Sequence, residues 1–186
     1  MNNRENIAKI ESSLDLLHSL LLKEGSSQRF RHFFALYSIV LVVILDTVYN
    51  LEYWLKSESK YEKVLICQSL AVIVVTFLEE SKGCFGPDYQ SEMNQNYLLD
   101  AAKNIGNHNS QLKRFRTQNM DYFKSIRNKT MSHRGNGILI ALAETNQISN
   151  EQFMGKMTEF VGILKLFFDE LGQTAKSIVA VINQPK

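Results

Sequence analysis

The residues best suited to chemistry gather between Lys113 and Arg134. Lys113, Arg114, Arg116, Lys124, Arg127, Lys129 and Arg134 stand there against Asp121 alone, a local charge of +6 in a chain whose total is +2. Such segregation is the electrostatic footprint of a phosphate-binding surface, because lysines and arginines displace counterions from nucleic acid. Arg114, Arg116, Lys129 and Arg134 are the candidate RNA contacts. Phe115, Tyr122, Phe123 and Ile126 interleave with the cations. Their expected direction is the core; stacking on unpaired bases is the less favoured use. A basic helix face that is merely solvated is the plain alternative.

Other chemistries drop out by pattern. The nine glycines are scattered, and none opens a phosphate loop ending in Lys-Ser/Thr. His18, His32, His108 and His133 lie too far apart for a sequential metal motif, so neither a metal nor any other cofactor is expected. Cys67 reads as a small core residue and Cys84 as part of a Gly-rich loop, without zinc or redox spacing. The acidic pairs Glu79-Glu80 and Asp169-Glu170 read as solvated or capping charges, since adjacent helical residues point in different directions.

Inside the basic segment runs Arg127-Asn128-Lys129-Thr130-Met131-Ser132-His133-Arg134. This string resembles the signature of the HEPN superfamily of helical, nucleic-acid-associated domains: an Arg, a polar neighbour, and a His after four to six intervening residues. The string is similar to the abortive-infection, AbiU-type branch in particular. That branch follows its motif with a short apolar stretch, here Ile138 to Ala143, and then a long closing helix. The layout resemblance covers about residues 60 to 183.

The resemblance implies metal-independent RNA cleavage in phage defence or a toxin–antitoxin setting. The ribose 2′-OH attacks the adjacent phosphorus, leaving a 2′,3′-cyclic phosphate and a 5′-OH. On this chain the implied catalytic residues are Arg127, Asn128 and His133. Histidine exchanges a proton near neutral pH and serves as general base or acid. A guanidinium meets phosphate oxygens through two parallel donors and suits a developing phosphorane charge. Asn128 can orient the phosphate or the histidine by hydrogen bonding. Six residues of ideal helix turn through about 600°, which leaves Arg127 and His133 roughly 120° apart. Either the helix ends before His133 or the site is assembled from two chains, as the family's two-fold dimers imply. A homodimer, an RNA substrate, and an antitoxin or other defence-system partner are therefore expected. Relatives paired with a nucleotidyltransferase antitoxin carry a Tyr after the His; here Arg134 and Gly135 follow His133, which argues against that pairing. The alternative function is a non-catalytic HEPN module that binds RNA, nucleotide or a protein partner.

The elements that must position these residues are helical. With 186 residues, 45% hydrophobic and 22% charged, the chain suits one domain with a sizeable core. The expected fold is an all-α bundle of about five long antiparallel helices spanning 1–186, with N-terminal helices in 1–58 and the motif-bearing core in 59–183. Apolar spacing places helices at about 4–23, 28–56, 59–83, 95–133 and 149–183. Capping boxes open the third at Ser59 and the last at Ser149. Gly83 to Asn94 reads as interior punctuation, and the fourth helix is expected to break near 105–110, where Gly106, Asn107 and Asn109 cluster.

Two runs, Phe33 to Leu45 and Val64 to Leu78, are nearly all apolar. Both fall short of the roughly 20 residues a spanning helix needs, so buried core helices are favoured over a membrane hairpin. With a polar Met1 to Glu5 and no secretory pattern, the expected setting is the reduced cytoplasm.

Overall fold

A computed structural model of the chain describes residues 3–21, 29–96, 98–131 and 150–182. Among them the fold is all-α, with six helices: α1 (Asn3–Leu21), α2 (Arg31–Lys56), α3 (Lys60–Cys84), α4 (Pro87–Gln95), α5 (Leu99–Met131) and α6 (Asn150–Ile182). The capping box at Ser149, the apolar stretch Ile138 to Ala143, His133 and Arg134 lie outside the described residues.

Four long helices close a ring in which α2 packs on α3, α3 on α5, α5 on α6 and α6 on α2. Neighbours run antiparallel. Phe115 meets Phe160 while Phe123, further along α5, meets Phe153, earlier on α6. Phe77 of α3 reaches the same Phe160, with ring centroids 5.8 Å apart, so one aromatic chain links three helices. These rings are fully buried, and each contributes an apolar area large enough to dominate the local packing energy. α1 lies against α2 and α6, and α4 against α2 and α5.

The start of α2 shows how a short helix fastens a long one. Phe30 at its N-cap offers no side-chain acceptor, and the first turn carries no acid. Glu92 of α4 supplies both needs from across the fold. Its Oε2 accepts from the His32 N–H and its Oε1 from the Phe33 N–H, both at 2.9 Å. The carboxylate is 8% exposed and also lies 3.1 Å from His32 Nδ1. Two otherwise unpaired amides and the positive end of the helix are thus satisfied at once.

Three local expectations change. Gly83 to Asn94 is mostly helix: Pro87 opens α4 at a position where its missing N–H costs nothing, and Asp88 follows in the first turn. Cys84 closes α3 rather than sitting in a loop. α5 passes through 105–110 without a break, because Ile105 and Leu112 are both fully buried and tertiary packing outweighs the weak propensity of Gly106 and its asparagines. At Ser59 half of the expected capping box is present: the Glu62 N–H donates to its Oγ at 3.4 Å, while the Glu62 carboxylate accepts instead from the Ser57 hydroxyl at 2.6 Å.

By length and composition α2 and α3 could each cross a membrane. In this fold they form half of the ring, and Ser57 to Ser59 join them as an antiparallel pair.

Candidate nucleic-acid interface

α5 presents the basic segment, and its buried stripe sets the direction of every cation. Leu112, Phe115, Asn119, Phe123 and Ile126, spaced by threes and fours, are buried against the ring. The interleaved rings therefore face inward, with Tyr122 half-buried at the margin. Lys113 and Arg114 stand exposed on the other side. Arg116 and Arg127, eleven residues apart, fall within about 20° of each other on the flank beside α3. Arg114 looks about 140–160° away from that flank.

Glu79 of α3 meets this flank. Its Oε1 lies 3.1 Å from Lys124 Nζ and its Oε2 3.6 Å from Arg127 Nη1. The Lys124 hydrogen bond, joined by the charges of Lys124, Arg127 and Lys82, outweighs an opposing desolvation and holds the Glu79 carboxyl below its ordinary value. Arg127 is 26% exposed, and its Nε donates to Asn128 Oδ1 at 3.3 Å. The guanidinium is therefore set by a carboxylate on one side and its own neighbour on the other, with its edge open to solvent. A phosphate arriving here would exchange with Glu79 rather than meet a bare cation.

Arg116 behaves differently. Its Nη2 donates to the buried Ser81 Oγ at 3.3 Å, while its Nε is buried without a hydrogen-bond partner. Burial pulls the guanidinium below its ordinary pKa. Arg116 is thus a strut between α5 and α3 more than an open phosphate contact. A second polar bridge crosses on the α6 side, where Lys156 Nζ donates to Asn119 Oδ1 and sits 5.0 Å from the Tyr122 ring centroid.

The structure thus brings Arg127, Asn128, Lys124 and Glu79 together, keeps Arg116 on the same flank but tied down, and sets Arg114 apart. Lys129 belongs to the last turn of α5, with its side chain outside the description. Glu79, which reads from the sequence as a solvated or capping charge, is instead the ionic partner of α5, and Ser81 carries no signal in the sequence. The available signal is bulk charge: a segment of +6 in a chain of +2 leaves an excess of acids elsewhere in the sequence. Among the described residues no three His, Cys, Asp or Glu side chains converge as a metal site would require.

Comparison with known proteins yields no matching family model, no matching curated protein and no matching solved structure.

Proposed function

We propose that this chain is a HEPN-type, metal-independent endoribonuclease acting in phage defence or a toxin–antitoxin setting. The observation that carries the reading is the placement of Arg127. It sits near the end of a long basic helix, oriented by Asn128, with an exposed edge and a carboxylate that a phosphate can replace. In the proposed reaction the 2′-oxygen forms a bond to phosphorus as the bond to the 5′-oxygen breaks. The 2′-OH proton leaves to a base and the 5′-oxygen gains one, with His133 in one of these roles. Arg127 holds the charge that develops on the phosphoryl oxygens.

The test is incubation of single-stranded RNA with purified protein in EDTA, reading for 2′,3′-cyclic phosphate and 5′-OH ends. His133→Ala should lower the rate by about 10²–10⁴-fold, the range typical of a lost general acid or base, and Arg127→Ala by about 10²–10³-fold, the range of a lost charge-stabilising donor. Arg127→Lys should rescue poorly, because lysine lacks the planar fork. If the site is shared between two chains, mixing the two inactive variants restores part of the activity.

One observation favours a second reading. Glu79 already pairs with Arg127, as a module that binds RNA, nucleotide or a protein partner without cutting would tolerate. RNA shifted in a gel by wild type yet left intact would select that module and reject the nuclease.

A further inference from the structure

We propose that the cleft between α1, α2 and α6 binds a short straight-chain fatty acid of about eight carbons, its chain among the apolar walls and its carboxylate held by Lys9 and the Thr47 hydroxyl. The inference goes beyond the nuclease reading and stands without it, since it draws on no residue of α5.

The cleft has a volume of about 200 Å³, and its walls are Ile10 of α1, Ile44 and Val48 of α2, and Val161, Leu164 and Phe168 of α6. Ile10 and Leu164 are buried and the other four half-buried, so the space lies within the body of the fold rather than on an open face. Among the described residues that line it, only Lys9, Thr47, Lys165 and Asp169 are polar. An apolar cavity with a few polar groups converging on it is the usual make-up of a small-molecule site.

Three features specify the ligand. The first is an orphaned hydroxyl. Thr47 is 1% exposed, and its Oγ1 is buried with no hydrogen-bond partner among the described residues. A hydroxyl inside a helix commonly donates to the carbonyl four residues back, as Ser38, Thr117, Thr158 and Thr174 do here. Thr47 forgoes that bond, and a ligand oxygen would remove the cost. The second is charge. Lys165 is paired with Asp169, whereas Lys9 enters no ion pair among the described residues. Two lysines against one aspartate leave the lining at 2 − 1 = +1. The third is size. A cavity of about 150 Å³ takes up benzene, so one of about 200 Å³ holds a chain of about eight carbons. An aliphatic amine would meet like charge at Lys9, and an alcohol would answer Thr47 alone. A carboxylate on an apolar chain answers the walls, the hydroxyl and the ammonium together.

Calorimetric titration of the full chain with sodium octanoate, kept below its micellar concentration, should give one saturable site. Its Kd should be about 0.1–1 mM, the strength expected of a ligand of about ten non-hydrogen atoms. Affinity should rise about fourfold per methylene from butanoate to octanoate and then level off as the cleft fills. Octylammonium should not bind. Thr47→Val should weaken octanoate at least about tenfold yet leave the free chain no less heat-stable, because the lost hydroxyl has no partner. Lys9→Ala should weaken octanoate about fivefold and leave octanol unaffected. Val161→Phe should fill the cleft and abolish binding while keeping the helical circular dichroism. Should that variant lose its helicity, Val48→Phe takes its place with the same expected outcome. No saturable heat up to about 10 mM octanoate overturns the proposal and leaves the hydroxyl to water. Affinity that keeps climbing through dodecanoate overturns it as detergent-like partition. Equal binding of octylammonium, unchanged affinity in Thr47→Val, or full binding by a folded cleft-filling variant also overturns it. RNA cleavage plays no part in these readouts, so the nuclease reading and this one fail separately.

Discussion

The two free flanks of α3 are made of opposite materials. One turns toward α5 and carries Glu79, paired with Lys124 and Arg127. The other turns outward beside α2 and carries the exposed Tyr61, Leu65 and Val72. Glu79 and Glu80 are neighbours in sequence, yet about 100° of helical rotation places one at the ionic seam and the other beside the apolar band. A single helix thus separates an ionic seam from an exposed apolar band. What divides them is the buried stripe between, which fixes the rotation of α3 and leaves its flanks to diverge.

The strongest way to break this contrast is to remove what both flanks stand on. Phe160 touches Phe77 of α3 and Phe115 of α5. Phe160→Ala should cost about 3–5 kcal/mol in urea unfolding, through lost transfer energy and an unfilled cavity. Any binding at the seam should fall with the fold.

A smaller change should separate them. Glu92→Ala uncaps α2 without touching the α3–α5 seam. The loss should be about 2 kcal/mol, the upper end for a cap that also satisfies buried amides. Hydrogen exchange should quicken in the first turn of α2, near Phe33 and Phe34, while Lys124 and Arg127 keep their setting.

On α5, an arginine outside the seam and one tied beside it should respond unequally. Each phosphate neutralised on a single strand contributes about 0.7 to the slope of log affinity against log salt. Arg114→Ala should reduce the slope by about that much and leave thermal stability unchanged, since its side chain is exposed. Arg116→Ala should lower the melting temperature and change the slope less. Equal slopes for the two variants would erase the distinction between open contact and strut.

The smallest effect concerns Glu79. Its carboxyl pKa is depressed in the folded chain, so the pairing stabilises above the unfolded value of about 4.3 and is lost as pH falls through the lower folded value. Glu79→Gln should remove that acid-side dependence from the melting curve. At neutral pH the same substitution should tighten RNA binding, because phosphate no longer competes with a resident carboxylate.

Much of the architecture was legible because it is local. Apolar spacing located the five long helices, and Ser59 with Glu62 marked the start of α3. The seam and the clasp were not, because each joins residues far apart in sequence: Glu79 meets Arg127, and Glu92 meets His32 and Phe33. Pattern reading also misjudged punctuation. Gly86-Pro87 suggests a turn in isolation, yet proline is well suited to the first helical position. Gly106 and Asn107 suggest a break, but buried neighbours on both sides carry the helix through. The inward direction of Phe115 and Phe123 followed directly from spacing, and that direction decides which cations can meet a phosphate.

The Glu92 clasp also bears on the order in which the chain folds. α2 and α3 are joined through Ser57 to Ser59, so their contacts form at little cost in loop closure. The clasp spans some 60 residues and depends on α4 being in place. Its bonds should therefore form after the rate-limiting barrier. Glu92→Ala should then leave refolding nearly unchanged and accelerate unfolding about thirtyfold, the rate equivalent of about 2 kcal/mol at a late-forming position. The start of α2 becomes a latch that governs how long the folded chain lasts rather than how fast it is made.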